Sequence, residues 1–408
     1  MVELLVSMAI VLLIIGAAAT AYLKLLRTYR TQGRLAESYM ANLTGLEMLR
    51  YDIETAGFGL PASLSAGATY TEASDNSVPY TPANLNDSPN NPPRPLAHLD
   101  NAGANGSDVL TIKSSAANVF NNPAGKKWSM VTNFTGTNPI VKLWGVTTLD
   151  PVMDFKTGDR FIVLDNNGNL QPAAGNWSCY TFNASAPNTG YYSNASTIGN
   201  PNTQQVWYIY GLDSSEGAHN MPFNRVDYYL DKITGQYPSS CAGSTYTLYR
   251  TVVDQASGKL LNKNPLVDCV RDFQVAFGIE PNGDPTQPIQ WQKTLTIEGV
   301  PMNAAQIQQQ LREVRVFVLF QEGLGDTSTT PSFRFSGILN LGDQDIATSL
   351  DPGDYPAGTN TFQQLSSSAL PGNVSLSSFT PAGRDLQYRW KIIEISVKPM
   401  NLTNLTTR

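Results

Sequence analysis

From Leu4 to Leu23 the chain runs through a stretch in which only Ser7, Thr20 and Tyr22 carry polar side-chain atoms. A helix of about 20 residues is roughly 30 Å long, the thickness of a bilayer's hydrocarbon core. No proline occurs before Pro61, so nothing stops the helix at the end of that run. Beyond Lys24 its character changes. Tyr22, Leu25, Leu26, Tyr29, Ala36, Tyr39, Met40, Leu43, Leu46, Leu49 and Ile53 recur at spacings of three and four, which marks a single apolar stripe. Lys24, Arg27, Arg30, Arg34, Glu37 and Glu47 fall largely outside it. Gly57 ends the pattern and Gly59-Leu60-Pro61 turns the chain away. The spacing predicts one helix of about 55 residues, roughly 80 Å long, lipid-soluble in its first half and amphipathic in its second.

Several simple explanations of the apolar run compete. A secretory signal needs a basic start, but Glu3 stands there, and a signal would not continue in phase for thirty helical residues. A plain membrane anchor leaves Glu3 without a role. A coiled-coil stalk would be apolar along a seam and not all round.

Composition places the rest of the chain. Only 15% of the 408 residues are charged, against about 25% in an average soluble domain, and Asn, Ser, Thr, Gly and Pro fill the difference. That texture suits an exported β-rich protein. A net charge of −6 argues against wrapping nucleic acid, which requires a basic footprint. Two histidines and three cysteines, with no C-x-x-C-H, exclude a multihaem cytochrome and a Cys/His zinc framework.

Past Pro61 the sequence is rich in loops, and strands are expected at 108–113, 158–165, 206–210, 225–230, 246–253, 273–279, 314–320 and 393–397. The fold class expected is α+β: one long N-terminal helix, then a large, mostly antiparallel β-domain. The division is 1–57 for the helix, with 1–26 the membrane part and 27–57 amphipathic. The globular domain is 58–408, with 62–250 its loop-rich part and 251–408 its C-terminal part.

Val2-Glu3-Leu4-Leu5-Val6-Ser7-Met8-Ala9-Ile10 resembles the N-terminal motif of type IV pilins. Met48 to Gly59, Pro265 to Gly278, Leu311 to Val316 and Tyr388 to Ile392 resemble, in order, blocks of the PilW group of minor pilins. The J-like pseudopilins of type II secretion share the tail pattern. The resemblance implies a non-enzymatic structural subunit that takes part in pilus initiation or tip formation. The alternatives it leaves are a secretion pseudopilin and a tip adhesin or ligand-binding pilin. Glu3 becomes the residue that pairs with a neighbouring subunit's N-terminal amine. The partners implied are major and minor pilins through the helix, the inner membrane before assembly, a tip protein, and prepilin peptidase acting on the precursor. No nucleic-acid partner is expected. The implied location is the inner membrane with a periplasmic domain, then the extracellular filament. In the family pattern the Glu stands two residues further from the cleavage point than Glu3 does from Met1, so a basic leader, a Gly and two further residues are expected upstream. Such a leader also restores the exported orientation, which Lys24, Arg27, Arg30 and Arg34 read alone would oppose.

Other candidate sites are weaker. For an exported chain a disulfide is the default, and Cys179 and Cys241, both in loop-like sequence, are the expected pair, with Cys269 a buried thiol. Asp165-Asn166-Asn167-Gly168-Asn169 is a fragment of a Ca²⁺ loop without its bidentate Glu, and Asp343, Asp345, Asp351 and Asp354 lack a recognised spacing. No cofactor or metal is therefore expected. His98 and His219 lie in Pro/Asn/Gly-rich sequence and are expected at the surface. No nucleophile elbow, H-E-x-x-H or phosphate loop occurs, and no catalytic residue is assigned. The sequons at Asn133, Asn176, Asn183 and Asn194 are read as chance in an Asn/Ser/Thr-rich chain.

Overall fold

The computed structural model describes residues 2–118, 126–135, 138–145, 150–171, 177, 179–185, 189–192, 206–213, 219–233, 235, 237–323, 325, 339–341, 374 and 376–402. Helix α1 (Val2–Glu54) is unbroken, as the absence of proline predicts. It frays through a turn to Gly57, whose φ of +82° is the left-handed conformation that glycine adopts without steric cost. Val6–Leu23, with a mean hydropathy of 2.3, is long and apolar enough to cross a membrane, and none of it is buried. Toward the end of α1, Asn42, Gly45, Leu46, Leu49, Asp52 and Ile53 are buried. Leu43, expected in the stripe, is 45% exposed. At 100° per residue it lies about 120° around the helix from Leu49, at the margin of the buried face.

Two strands follow the helix, β1 (Leu96–Leu99) and β2 (Val109–Ser114). Next come β3 (Trp128–Thr135), β4 (Asn138–Val141), β5 (Arg160–Leu164), β6 (Tyr180–Ser185), β7 (Thr189–Tyr192) and β8 (Trp207–Gly211). They are followed by β9 (Asn224–Asp231), β10 (Tyr246–Val253), β11 (Leu260–Ile279) and β12 (Gln290–Gln292). A small hairpin, β13 (Thr296–Ile297) and β14 (Val300–Pro301), leads into α2 (Ala304–Gln310), which starts on a capping box between Asn303 and Gln306. The chain ends with β15 (Leu311–Glu322), β16 (Leu339–Leu341), β17 (Ser377–Phe379) and β18 (Arg389–Val397).

The large sheet is antiparallel in the order β1-β2-β9-β10-β11-β15-β18, with β12 also on β11. Its faces separate by the two-residue period of a strand. Val226, Tyr228 and Leu230 of β9, Val275 and Phe277 of β11, and Val316 and Val318 of β15 share one core with Leu46, Leu49 and Ile53 of α1. The opposite face carries a second core, in which Tyr229 and Tyr249 meet Tyr70, Tyr80 and Leu85 of the long segment between α1 and β1. A further cluster of Phe317, Leu319, Phe379 and Trp390 lies under β15 and β18. The sheet is thus covered by a helix on one side and by irregular chain on the other.

β3 to β8 close into a separate six-stranded antiparallel barrel in the order β3-β4-β7-β6-β5-β8. Phe155, Phe161, Phe182, Tyr180, Trp207, Val131, Val141, Val163 and Ile209 fill its interior. The barrel is inserted at one point of the large sheet, because Ser114 at the end of β2 and Asn224 at the start of β9 face each other as register partners. It abuts the end of the helical segment. Phe58 and Tyr210 meet edge to face at 5.3 Å, Ser115 N donates to Phe58 O at 2.7 Å, and Ala62 N donates to Gly168 O at 2.8 Å. The barrel therefore sits at the end of α1 far from the apolar run.

Candidate functional site

Glu3 lies in the first turn of α1, exposed and three residues before the apolar window at Val6–Leu23. A carboxylate so placed reaches the edge of any bilayer the helix crosses, where its charge is costly unless partnered or hydrated. The other end of the helix is held by buried charge.

Asp52 falls on the same face of α1 as Leu49 and Ile53 and is fully buried. Arg250 Nε donates to Asp52 Oδ2 at 2.7 Å, and Tyr228 Oη donates to the same oxygen at 2.6 Å. The Arg250 guanidinium also donates to the carbonyl of Ala117, in the turn that leads from β2 toward the barrel. One buried side chain on β10 therefore ties together the helix, the sheet and the root of the barrel. Burial raises the Asp52 carboxyl above its ordinary value, against the opposing pull of Arg250 and Tyr228. Burial alone would lower Arg250, but Asp52 outweighs it and raises the guanidinium.

A second buried network fastens the segment between α1 and β1 to the far face of the sheet. Lys113 Nζ on β2 lies 2.7 Å from Glu72 and 2.6 Å from Asp87. Arg225 on β9 contacts Glu72 at 3.0 Å and Asp227 at 2.9 Å, and Tyr80 Oη donates to Asp227 at 2.7 Å. Arg94 closes on Asp87 at 2.5 Å. Three carboxylates face three cations, most of them out of solvent, an arrangement that is costly to half-dismantle. Burial would raise the Glu72 carboxyl, but Lys113 and Arg225 overcome it and hold the group below its ordinary value.

The expected cysteine pairing is corrected. Cys241 is bonded to Cys269, and Cys179 is free. Cys269 sits in β11 where the strand bulges and shifts register, with φ of +56°, so its side chain leaves the regular alternation and meets the loop bearing Cys241. Cys179 packs beside the second core, and burial pushes its thiol up to about 12. His98 is corrected as well. It stands on β1 with its side chain 1% exposed, Nε2 3.0 Å from Asp108 Oδ2 and its ring edge-on to Phe277. His219 is half-buried, its Nε2 2.6 Å from the carbonyl of Asp213.

Asp165 spends its carboxylate on its own loop, accepting from the backbone of Asn167 and Asn169 at 2.8 Å each and from the Asn169 amide at 2.8 Å. Asp343, Asp345, Asp351 and Asp354 lie outside the described residues, as do Asn176 and Asn194. Asn133 and Asn183 stand on β3 and β6. Among the described residues there is no group of three or more His, Cys, Asp or Glu that could hold a metal ion.

Of the residues singled out in the sequence, the structure joins Cys241 to Cys269 and gathers Asp165, Asn167 and Asn169 in one loop, and it leaves Glu3 about 75 Å along the helix from Asp52. Sequence reasoning missed Asp52, Arg250, Lys113, Glu72 and Arg225. For Asp52 the signal was present, since a charge at the spacing of an apolar stripe must be buried or misplaced. Comparison of the chain with protein-family models, with curated proteins and with solved structures gave no match.

Proposed function

We propose that this chain is a minor pilin of a type IV pilus, a structural subunit that acts in initiating the filament or forming its tip. The observation that carries this reading is the division of α1. Its first half is apolar and uncovered by its own domain, while its last turns are seated in the sheet by Asp52 and Arg250. Such a helix can wait in a membrane and then enter a bundle of like helices without the β-domain unfolding. Glu3, at the start of the apolar window, is the group that attracts a neighbour's N-terminal amine where the dielectric is low and the attraction strong. The barrel at the opposite end supports a place at the tip, because a bulky module there can project beyond the last subunit. Before assembly the domain occupies the periplasmic side of the inner membrane.

The test is Glu3→Ala in the native host. The variant is expected to accumulate in membranes at normal level with its Cys241–Cys269 bond formed, yet to be missing from sheared filaments. Glu3→Asp, which keeps the charge and loses reach, should be partly impaired. Glu47→Ala is the control, because Glu47 is exposed and pairs with the exposed Arg50 at 3.3 Å. Wild-type amounts of Glu3→Ala in filaments would remove the pairing mechanism.

A further inference from the structure

Immediately beyond the apolar window, α1 carries Lys24, Arg27, Arg30 and Arg34, and no Asp or Glu occurs between Glu3 and Glu37. The helix is continuous here, so the four positions are fixed relative to one another. At 100° per residue they fall within about 120° of the circumference, and their axial positions run from the end of the window to about 15 Å beyond Lys24. Tyr22 and Tyr29, 62% and 75% exposed, occupy the opposite side at the same level. Amphipathic rings beside a basic cluster at the end of an apolar run mark the headgroup layer of a membrane. Leu25 and Tyr29, interleaved with the basic positions, are 68% and 75% exposed.

We propose that Lys24, Arg27, Arg30 and Arg34 form a docking surface for anionic phospholipid headgroups on the leaflet facing the β-domain. The charge complementarity is local and specific in place. Four positive charges with no intervening acid meet a layer of lipid phosphates, and the outermost lies at a distance comparable to the ~8 Å to 10 Å screening length from that layer. The cluster runs against the bias that keeps basic residues on the cytoplasmic side, so on an exported domain it needs a use of its own. Lipid docking supplies one, by holding the helix at a fixed depth with its junction to the β-domain clear of the bilayer. The proposal rests on α1 crossing a membrane with the β-domain on the exported side, and does not depend on assembly into a filament. Loss or retention of Glu3→Ala in filaments leaves it untouched.

The test uses the full chain reconstituted in phosphatidylcholine vesicles containing trace spin-labelled phosphatidylglycerol or spin-labelled phosphatidylcholine. Electron spin resonance then reads the motionally restricted fraction of each label. At low salt the labelled phosphatidylglycerol is expected to associate about fivefold more strongly, with the preference falling toward one in 0.5 M salt as screening shortens to about 4 Å. The fourfold variant K24Q/R27Q/R30Q/R34Q keeps good helix formers and should show no preference at either salt concentration. The salt dependence of the wild-type chain alone tests the idea without any variant. Equal association of the two labels at low salt, or a preference that survives in the fourfold variant, would overturn it. So would cross-linking of wild-type chains in purely neutral vesicles that the variant abolishes, if lipid selectivity is absent, because the stripe would then serve a neighbouring acidic helix.

Discussion

Gly45 of α1 lies so close to Leu266 of β11 that a β-carbon there would sit 2.9 Å from both the carbonyl carbon and the β-carbon of Leu266, and closer still to its oxygen. The glycine is needed for space, in the middle of a helix where it otherwise weakens the structure by about 1 kcal/mol relative to alanine. Gly45→Val should therefore lower the stability of the β-domain by roughly 1–3 kcal/mol through overpacking. Gly45→Ala should cost less, because improved helix propensity offsets part of the clash. Thermal melts of the detergent-solubilised chain measure both. An unchanged midpoint for Gly45→Val would mean that helix and strand can part without penalty.

The Asp52–Arg250 pair makes an asymmetric prediction. Asp52→Asn leaves a buried guanidinium without its counter-charge, and breaking such a pair typically costs about 3–5 kcal/mol. Arg250→Met leaves a carboxyl that burial already raises and that can take up a proton. Its folded value then lies further above the unfolded one, so stability is fullest at low pH and lost as pH rises. Arg250→Met should accordingly be less damaging at pH 5 than at pH 8, and the double variant Asp52→Leu, Arg250→Met should recover much of the loss. Identical pH profiles for the two single variants would contradict this assignment of charge.

Glu72 predicts the opposite dependence. Its carboxyl is held below the ordinary value of 4.5, so it contributes stability that is fully present above that pH and lost as pH falls through the folded value. Denaturant titrations of the wild-type chain should show a fall below about pH 4.5. Glu72→Gln should be weaker than wild type at pH 7 but flatter across the acid range. If both curves kept the same slope, acid lability would lie elsewhere.

Non-reducing peptide mapping should find Cys241 joined to Cys269 and Cys179 free. With the two cysteines 28 positions apart in sequence, the cross-link is worth about 3–4 kcal/mol in the chain-entropy picture. Cys179, its thiol pushed up to about 12, should react with iodoacetamide at pH 8 far more slowly in the folded chain than in the denatured one. Rapid labelling of native Cys179 would show that it is not shielded.

The long helix and the eight expected strands were legible because each depends on local periodicity, which a window of residues contains. β11 was legible only from Phe273 onward. Its first half, Leu260 to Asp272, mixes Asn, Lys, Pro and Asp into the strand and bulges where it changes partner from β10 to β15. The same bulge defeated the cysteine pairing, since a residue in a regular strand would have left Cys269 facing a core. The barrel was not legible at all, because closure depends on which strand returns to which, and β3 meets β8 across some 80 residues. His98 was misplaced because its Pro-rich flank, Pro92-Pro93-Arg94-Pro95, hid the short strand Leu96-Ala97-His98-Leu99.

The facing of Ser114 and Asn224 has a consequence for how such a chain can change over time. Everything between them departs from and returns to one rung of the sheet, as a short hairpin turn would. Lengthening, shortening or exchanging barrel loops therefore shifts no strand of the large sheet out of register and moves no residue of the seat that holds α1. The barrel is free to diversify in sequence and loop length, while the sheet and the seat of α1 stay constant.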